Sequence, residues 1–178
     1  MKLDDSAVQR FLAATRVAVL ATVQADGGPL AMAMWLLHDP AGLTMISVAG
    51  TQKVRNLRRD PRVCVVAEGG PEGEVRGVAV HGRAEFLADG PERRALAERF
   101  VEKYHPYLER RWGGRAMPAD RVMFRIVPTR VRSWGLDKYA GRGRGDRASG
   151  PGRGSSRVAR AAGSPRPATR RCPGRPSG

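Results

Sequence analysis

Along the first 135 positions, apolar residues come in short blocks separated by turn residues. Residues 4–14 place Val8, Phe11 and Leu12 at helical spacing behind Asp4, Asp5 and Ser6, three side chains suited to an N-cap. A short amphipathic helix ending near Thr15 is predicted. Residues 17–23 and 30–37 are apolar, β-rich runs joined by Asp26-Gly27-Gly28-Pro29, which predicts a hairpin. A second turn over residues 38–42 leads into a third strand, residues 43–48. Gly50 and Thr51 open a helix through Arg59, and Asp60-Pro61 stops it because a residue before proline is pushed out of the α region. Residues 63–67 form a fourth strand, and residues 75–87 a long fifth one interrupted by Gly82. A helix from Pro91 to Tyr104 carries Leu96, Phe100 and Val101 on one side, and a sixth strand, residues 121–127, is stopped by Pro128. Consecutive strands with short connections predict a mainly β protein, a closed antiparallel barrel with two or three small helices.

Composition limits where that domain ends. The chain has 178 residues, room for one ordinary domain and a remainder. From Ala140 onward almost everything is Gly, Ala, Arg or Pro, without Leu, Ile, Met or an aromatic to bury, so residues 1–137 are predicted to fold and 138–178 to be a disordered tail. The net charge of +15 follows the same boundary, because residues 138–178 hold 11 basic residues against one acid. The tail has three readings: a cationic arm for nucleic acid, a solvated tail, or the product of a shifted GC-rich reading frame. The last two rank above the first, so nucleic acid is an unlikely partner except through the tail. Cys64 and Cys172 form no CxxC pair, and His38, His81 and His105 are scattered, which predicts neither a metal site nor a disulfide framework. No 18-residue apolar run and no signal peptide is visible, so a cytoplasmic protein without a membrane partner is expected.

The segment with chemical content runs from Ser47 to Arg62. A strand delivers the hydroxyls of Ser47 and Thr51, a helix N-terminus follows, and Lys53 and Arg55 lie in its first turn. Unpaired amides, the positive end of a helix dipole and cations make a site for a phosphate monoester. Arg58, Arg59 and Arg62 fit a basic solvated helix instead. Cys64 reads as a small core residue, and His81 as a strand residue satisfied by a neighbour.

Leu20-Ala21-Thr22-Val23 with Asp26-Gly27 and Pro29, Lys53 to Asn56 with Leu57-Arg58-Arg59-Asp60-Pro61-Arg62, and Val80-His81-Gly82-Arg83-Ala84-Glu85 together resemble the flavin/deazaflavin oxidoreductase superfamily. Its members are pyridoxamine 5'-phosphate oxidase-like, FMN-binding split barrels. Arg130-Val131-Arg132-Ser133-Trp134 resembles the end of its deazaflavin-dependent branch. The likeness covers about residues 5–136 and implies a six-stranded antiparallel split β-barrel. It further implies a homodimer with each cofactor in a groove between subunits. In such a groove the phosphate meets Thr51, Gln52, Lys53, Arg55 and Asn56, with Lys53 the principal cation. The ring lies along the strands that hold Ala33 and Trp35, and Ile46, Ser47 and Val48. The implied activity is hydride transfer between coenzyme F-420 and a small unsaturated or quinone-like substrate. FMN is the alternative cofactor, in an oxidase-like enzyme or in a non-enzymatic flavin- or haem-binding module. The basic cluster Arg55, Arg58, Arg59 and Arg62 favours F-420, whose tail is polyanionic. True pyridoxamine phosphate oxidase activity is not expected, because no C-terminal substrate-phosphate segment is found after Trp134. The cofactor carries the chemistry, so no catalytic residue is named.

Overall fold

The computed structural model describes residues 2–70 and 74–136; the predicted tail lies outside them. Seven strands form one antiparallel sheet: β1 (Val17–Val23), β2 (Pro29–Trp35), β3 (Leu37–Asp39), β4 (Gly42–Val48), β5 (Arg62–Gly69), β6 (Arg76–Phe86) and β7 (Arg121–Trp134). Their order is β2-β1-β5-β6-β7-β4-β3. The helices among the described residues are α1 (Ser6–Ala14), α2 (Gln52–Arg59), α3 (Pro91–Tyr104) and α4 (Tyr107–Trp112). The fold is mainly β and antiparallel, as the sequence predicts, with the sheet curled into a half-barrel.

Four details differ from the sequence prediction, each for a local reason. The predicted turn at residues 38–42 is tighter. Asp39 Oδ1 accepts the N–H of Ala41 at 2.8 Å and of Gly42 at 3.1 Å, which closes the turn and frees Leu37–Asp39 to pair with β4 as a seventh strand. Pro128 does not stop the last strand. A bulge shifts the β6–β7 register between His81 and Gly82, so that Gly82 pairs with Pro128 and His81 with Arg130. The extra residue, Thr129, donates its hydroxyl to the His81 carbonyl at 3.2 Å, and a bulge is where a strand tolerates proline. A fourth helix, α4, follows α3 in a stretch for which the sequence predicts no element. Finally, the sheet is not closed by hydrogen bonds. β4 pairs with β3 only through Gly42, Leu43 and Thr44, so on that side Met45–Val48 is a free edge facing the free edge of β2.

Two cores hold this arrangement. Alternation along the strands turns Ala18 and Leu20, Val63 and Val65, Val78 and Val80, Leu43 and Met45, and Phe124 and Ile126 into the curled sheet, where Val8 and Leu12 of α1 and Leu57 of α2 join them. On the opposite face, α3 and α4 bury Leu96, Phe100, Val101, Tyr104 and Leu108 against Leu37 and Met123. Tyr104 ties this layer down: its hydroxyl accepts the Leu36 N–H at 2.8 Å and lies 2.7–2.8 Å from the carbonyls of Leu36 and Arg16. No helix among the described residues is long and apolar enough to cross a membrane.

Candidate functional site at the split edge

The gap between β2 and β4 is a groove of about 460 Å³. Met32, Ala33, Met34 and Trp35 form one wall, and Ile46, Ser47 and Val48 the other; Phe100, Leu108, Arg111 and Trp112 reach in from α3 and α4, and Arg121 from β7. Its size falls in the range of small-molecule sites, about 300–1,000 Å³. Two unpaired strand edges also leave backbone N–H and C=O groups free to meet the polar edge of a planar ligand.

One end of the groove is cationic. Lys53 retains only 7% of its exposure, yet no carboxylate pairs with it among the described residues. Its Nζ has only the Met32 sulfur, at 3.8 Å, as a neighbour of hydrogen-bonding kind. Burial pushes its pKa below the usual lysine value. An uncompensated buried ammonium is costly, and an anion in the groove would offset that cost. Thr51, at the N-cap of α2, makes no side-chain cap; its hydroxyl donates to the Val48 carbonyl at 2.9 Å and lies 3.1 Å from Ser47 Oγ. At the start of α2 the Thr51 N–H bonds the Val48 carbonyl, and the Val54 and Arg55 N–H groups bond the Thr51 carbonyl, so the N–H groups of Gln52 and Lys53 are the ones that stay available at the same end.

The ten residues singled out in the sequence separate into two groups. Ala33, Trp35, Ile46, Ser47, Val48, Thr51 and Lys53 all line the groove. Gln52, Arg55 and Asn56 do not. The guanidinium of Arg55 holds the Gly50 carbonyl at 2.6 Å and Gln52 Oε1 at 2.8 Å. Asn56 is wholly buried, with its Nδ2 on Thr22 Oγ1 at 3.0 Å and its Oδ1 accepting from Gln52 Nε2 at 2.9 Å, so it fastens α2 to β1. The remaining cluster arginines also have local roles: Arg58 covers the Phe86 ring, Arg59 binds the Val23 carbonyl, and Arg62 pairs with Asp60, whose carboxyl it holds down at about 2.

Phe100, Leu108, Arg111, Trp112 and Arg121 also line the groove and are not among those ten. A signal for α4 was present, because Leu108 and Trp112 are four residues apart and share a helix face. Cys64 is not a core residue: it points outward beside its cross-strand partner His81, with Sγ 3.9 Å from Nε2. Neither lines the groove. A larger hollow of about 1710 Å³ between α3 and residues 115–123 contains none of the ten predicted residues. Among the described residues, no three His, Cys, Asp or Glu side chains could hold a metal ion.

The family model for pyridoxamine 5'-phosphate oxidase matches residues 5–135, which is most of the chain and nearly all of the described part. The chain belongs to that family. It has the family's flavin-binding split-barrel fold, and the family includes oxidoreductases. A conserved hypothetical protein of Mycobacterium tuberculosis is 31% identical, with 82% of this chain and 93% of that one covered and a TM-score of 0.61. A FAD-binding protein of Mesorhizobium loti is 30% identical over 70% of this chain and 88% of its own, with a TM-score of 0.57. An F420 reductase is 28% identical over 70% of this chain and 94% of its own, with a TM-score of 0.52. There is no match among curated proteins.

Proposed function

We propose that this protein is an oxidoreductase that binds coenzyme F-420 in the groove between β2 and β4 and exchanges hydride with a small unsaturated or quinone-like substrate. The observation that carries this reading is Lys53, a buried, unpaired ammonium at the end of an apolar, aromatic groove. The Lys53 ammonium and the backbone N–H groups of Gln52 and Lys53 would hold the phosphate, while the hydroxyls of Ser47 and Thr51 stand beside it. Trp35, Ile46 and Val48 would flank the ring and exclude water. The bound coenzyme supplies the hydride chemistry; the chain's own part is to orient, desolvate and compensate charge. The likeness to an F420 reductase supports this cofactor. None of Arg55, Arg58, Arg59 and Arg62 lines the groove, so any help to a polyanionic tail comes through their long-range field.

FMN is the second reading, favoured by the 30% identity with a FAD-binding protein. Two measurements separate the cofactors: a flavin absorption band in the purified protein supports FMN, and fluorescence titration with oxidised and reduced F-420 tests the deazaflavin. Lys53→Ala is expected to weaken the cofactor that binds by about 1.5 to 3 kcal/mol, the scale of a charge-assisted hydrogen bond. Unchanged affinity would remove the phosphate assignment.

The same reading includes a homodimer. On the outer face of the sheet, cross-strand partners build the row Ala33–Val19–Val66–Ala79, which is apolar throughout, and the row Ala31–Ala21–Cys64–His81, which is apolar up to His81. Val17 and Val19 in this region are 47% and 42% exposed. A second copy laid on this face would cover it. Cytoplasmic residence completes the proposal, in keeping with a free thiol at Cys64.

A further inference from the structure

Away from the groove, a second pocket of about 350 Å³ lies between α1, β3 and α3. Its walls are Ala13, Leu37, His38, Arg99, Glu102 and Lys103, three basic groups and one acid. Among the described residues, Arg99, Glu102 and Lys103 form no ion pair. Lys103 Nζ donates to the Leu36 carbonyl at 3.0 Å, which leaves two of its three N–H groups for other acceptors. The Phe11 and Leu12 carbonyls at the end of α1 are already taken up by Thr15, through its hydroxyl at 2.9 Å and its N–H at 3.1 Å.

Hydrogen bonding fixes the tautomer of His38. Gln9 Nε2 lies 2.8 Å from the Leu3 carbonyl and 3.4 Å from the Asp39 carbonyl, and carbonyls only accept, so the amide nitrogen occupies that side. Gln9 Oε1 must then accept from His38 Nδ1, 2.9 Å away, which makes Nδ1 the protonated nitrogen. Nε2 remains the site where a second proton is gained.

We propose that this pocket is a binding site for a dianionic oxyanion, sulfate or the phosphate group of a small molecule, held by Lys103, Arg99 and the Nε2–H of a protonated His38. Charge matching carries the assignment. With a neutral imidazole the walls hold two cations and one carboxylate; taking up a proton on Nε2 brings the net charge to the +2 that a dianion neutralises. In the protein by itself these groups repel one another. The His38 pKa is lowered by burial first and then by Lys103 and Arg99, with only Asp39 opposing, and Asp39 is itself engaged by Arg125. Lys103 is lowered to about 8, by burial and by Arg16. A dianion would therefore bind together with a proton on His38, most tightly below the lowered His38 value and less tightly as pH rises through it, with a further loss where Lys103 gives up its own proton at about 8.

The test follows the His38 ring by NMR against pH, in sodium sulfate and in sodium chloride of equal ionic strength, in the Lys53→Ala background so that the groove cannot contribute. Sulfate is expected to move the His38 titration upward by about one pH unit relative to chloride, a tenfold preference for the protonated form. Glycerol 3-phosphate in place of sulfate separates the two sources: a larger shift with the ester assigns the site to a phosphorylated small molecule, an equal one to the free oxyanion. Arg99→Gln and Lys103→Met, each checked for an unchanged circular dichroism spectrum, are expected to abolish the difference. Identical titrations in sulfate and chloride would overturn the proposal, as would a shift that survives the double variant. Failure of F-420 or FMN binding at Lys53 leaves this outcome untouched.

Discussion

A buried amide must find partners for both its N–H side and its oxygen, and Asn56 finds them in Thr22 and Gln52. Thr22 in turn lies 3.4 Å from the Leu30 carbonyl, so one short chain of bonds joins α2, β1 and β2. Asn56→Ala is expected to lower unfolding free energy by about 1–3 kcal/mol, since Thr22 loses its donor inside the core. Thr22→Val should then cost little more in the Asn56→Ala background than Asn56→Ala alone. Urea titrations of the two single variants and the double variant measure this; strict additivity would show that the two side chains do not act together. The same residue marks how far sequence reasoning reached. Residues 51–56 read as one polar, basic stretch and were grouped as a single phosphate site. Helical geometry divides them: Lys53 faces the groove, Asn56 the sheet, and Arg55 folds back over the helix start. Lys53 was legible because a cation beside two hydroxyls in the first turn of a helix, where the dipole disfavours positive charge, suits an anion. Asn56 was not, because its partner is 34 residues away in sequence.

At the level of elements, alternation and turn residues revealed six of the seven described strands, all but β3, in nearly their correct places. The errors came where a tertiary partner overrode a local signal. Pro128 is a strand breaker in isolation, yet β7 continues to Trp134 because β6 offers Gly82 opposite it and a bulge absorbs Thr129. A Cβ on Gly82 would press into the Val127 carbonyl, a backbone atom that cannot swing aside. Gly82→Val is therefore expected to destabilise the domain by about 1–3 kcal/mol, the usual cost of overpacking, and to loosen residues 128–134 first. Hydrogen exchange localises the effect: amides of β1 should keep their ranking while those of β7 beyond Pro128 lose protection. Uniform loss along the whole sheet would contradict a local role for the bulge. α4 went unseen for a different reason. Six residues rarely sustain a helix by propensity, and this one is held by Leu108, buried in the core that α3 makes against Leu37 and Met123.

For the whole molecule, the charge of +15 was a poor guide to function, because most of it belongs to residues 138–178, and Arg55, Arg58, Arg59 and Arg62 of the predicted basic cluster are engaged by a carbonyl, a ring or a carboxylate. The apolar pattern was the better guide. β1 and β2 are apolar on both faces, although in a single protomer only the inner face is covered, and outward residues such as Val17, Val19, Ala31 and Ala33 remain exposed. A strand that is apolar on both sides is expected where both sides are buried. Stable protein interfaces bury on the order of 1,200–2,000 Å², and one apolar row across four strands beside a second that is apolar across three offers a surface of suitable character. Val19→Asp tests this. The side chain points outward from the protomer, so the substitution leaves the inner core intact and places two carboxylates against apolar surface only when two copies meet. Sedimentation velocity is expected to show a dimer for the unchanged chain and a monomer for Val19→Asp, with matching circular dichroism. Cofactor affinity should fall along with the dimer, because Ala33, the cross-strand neighbour of Val19, also lines the groove. A monomeric unchanged chain would detach the groove from any partner, and Lys53 would then have to act from a single protomer.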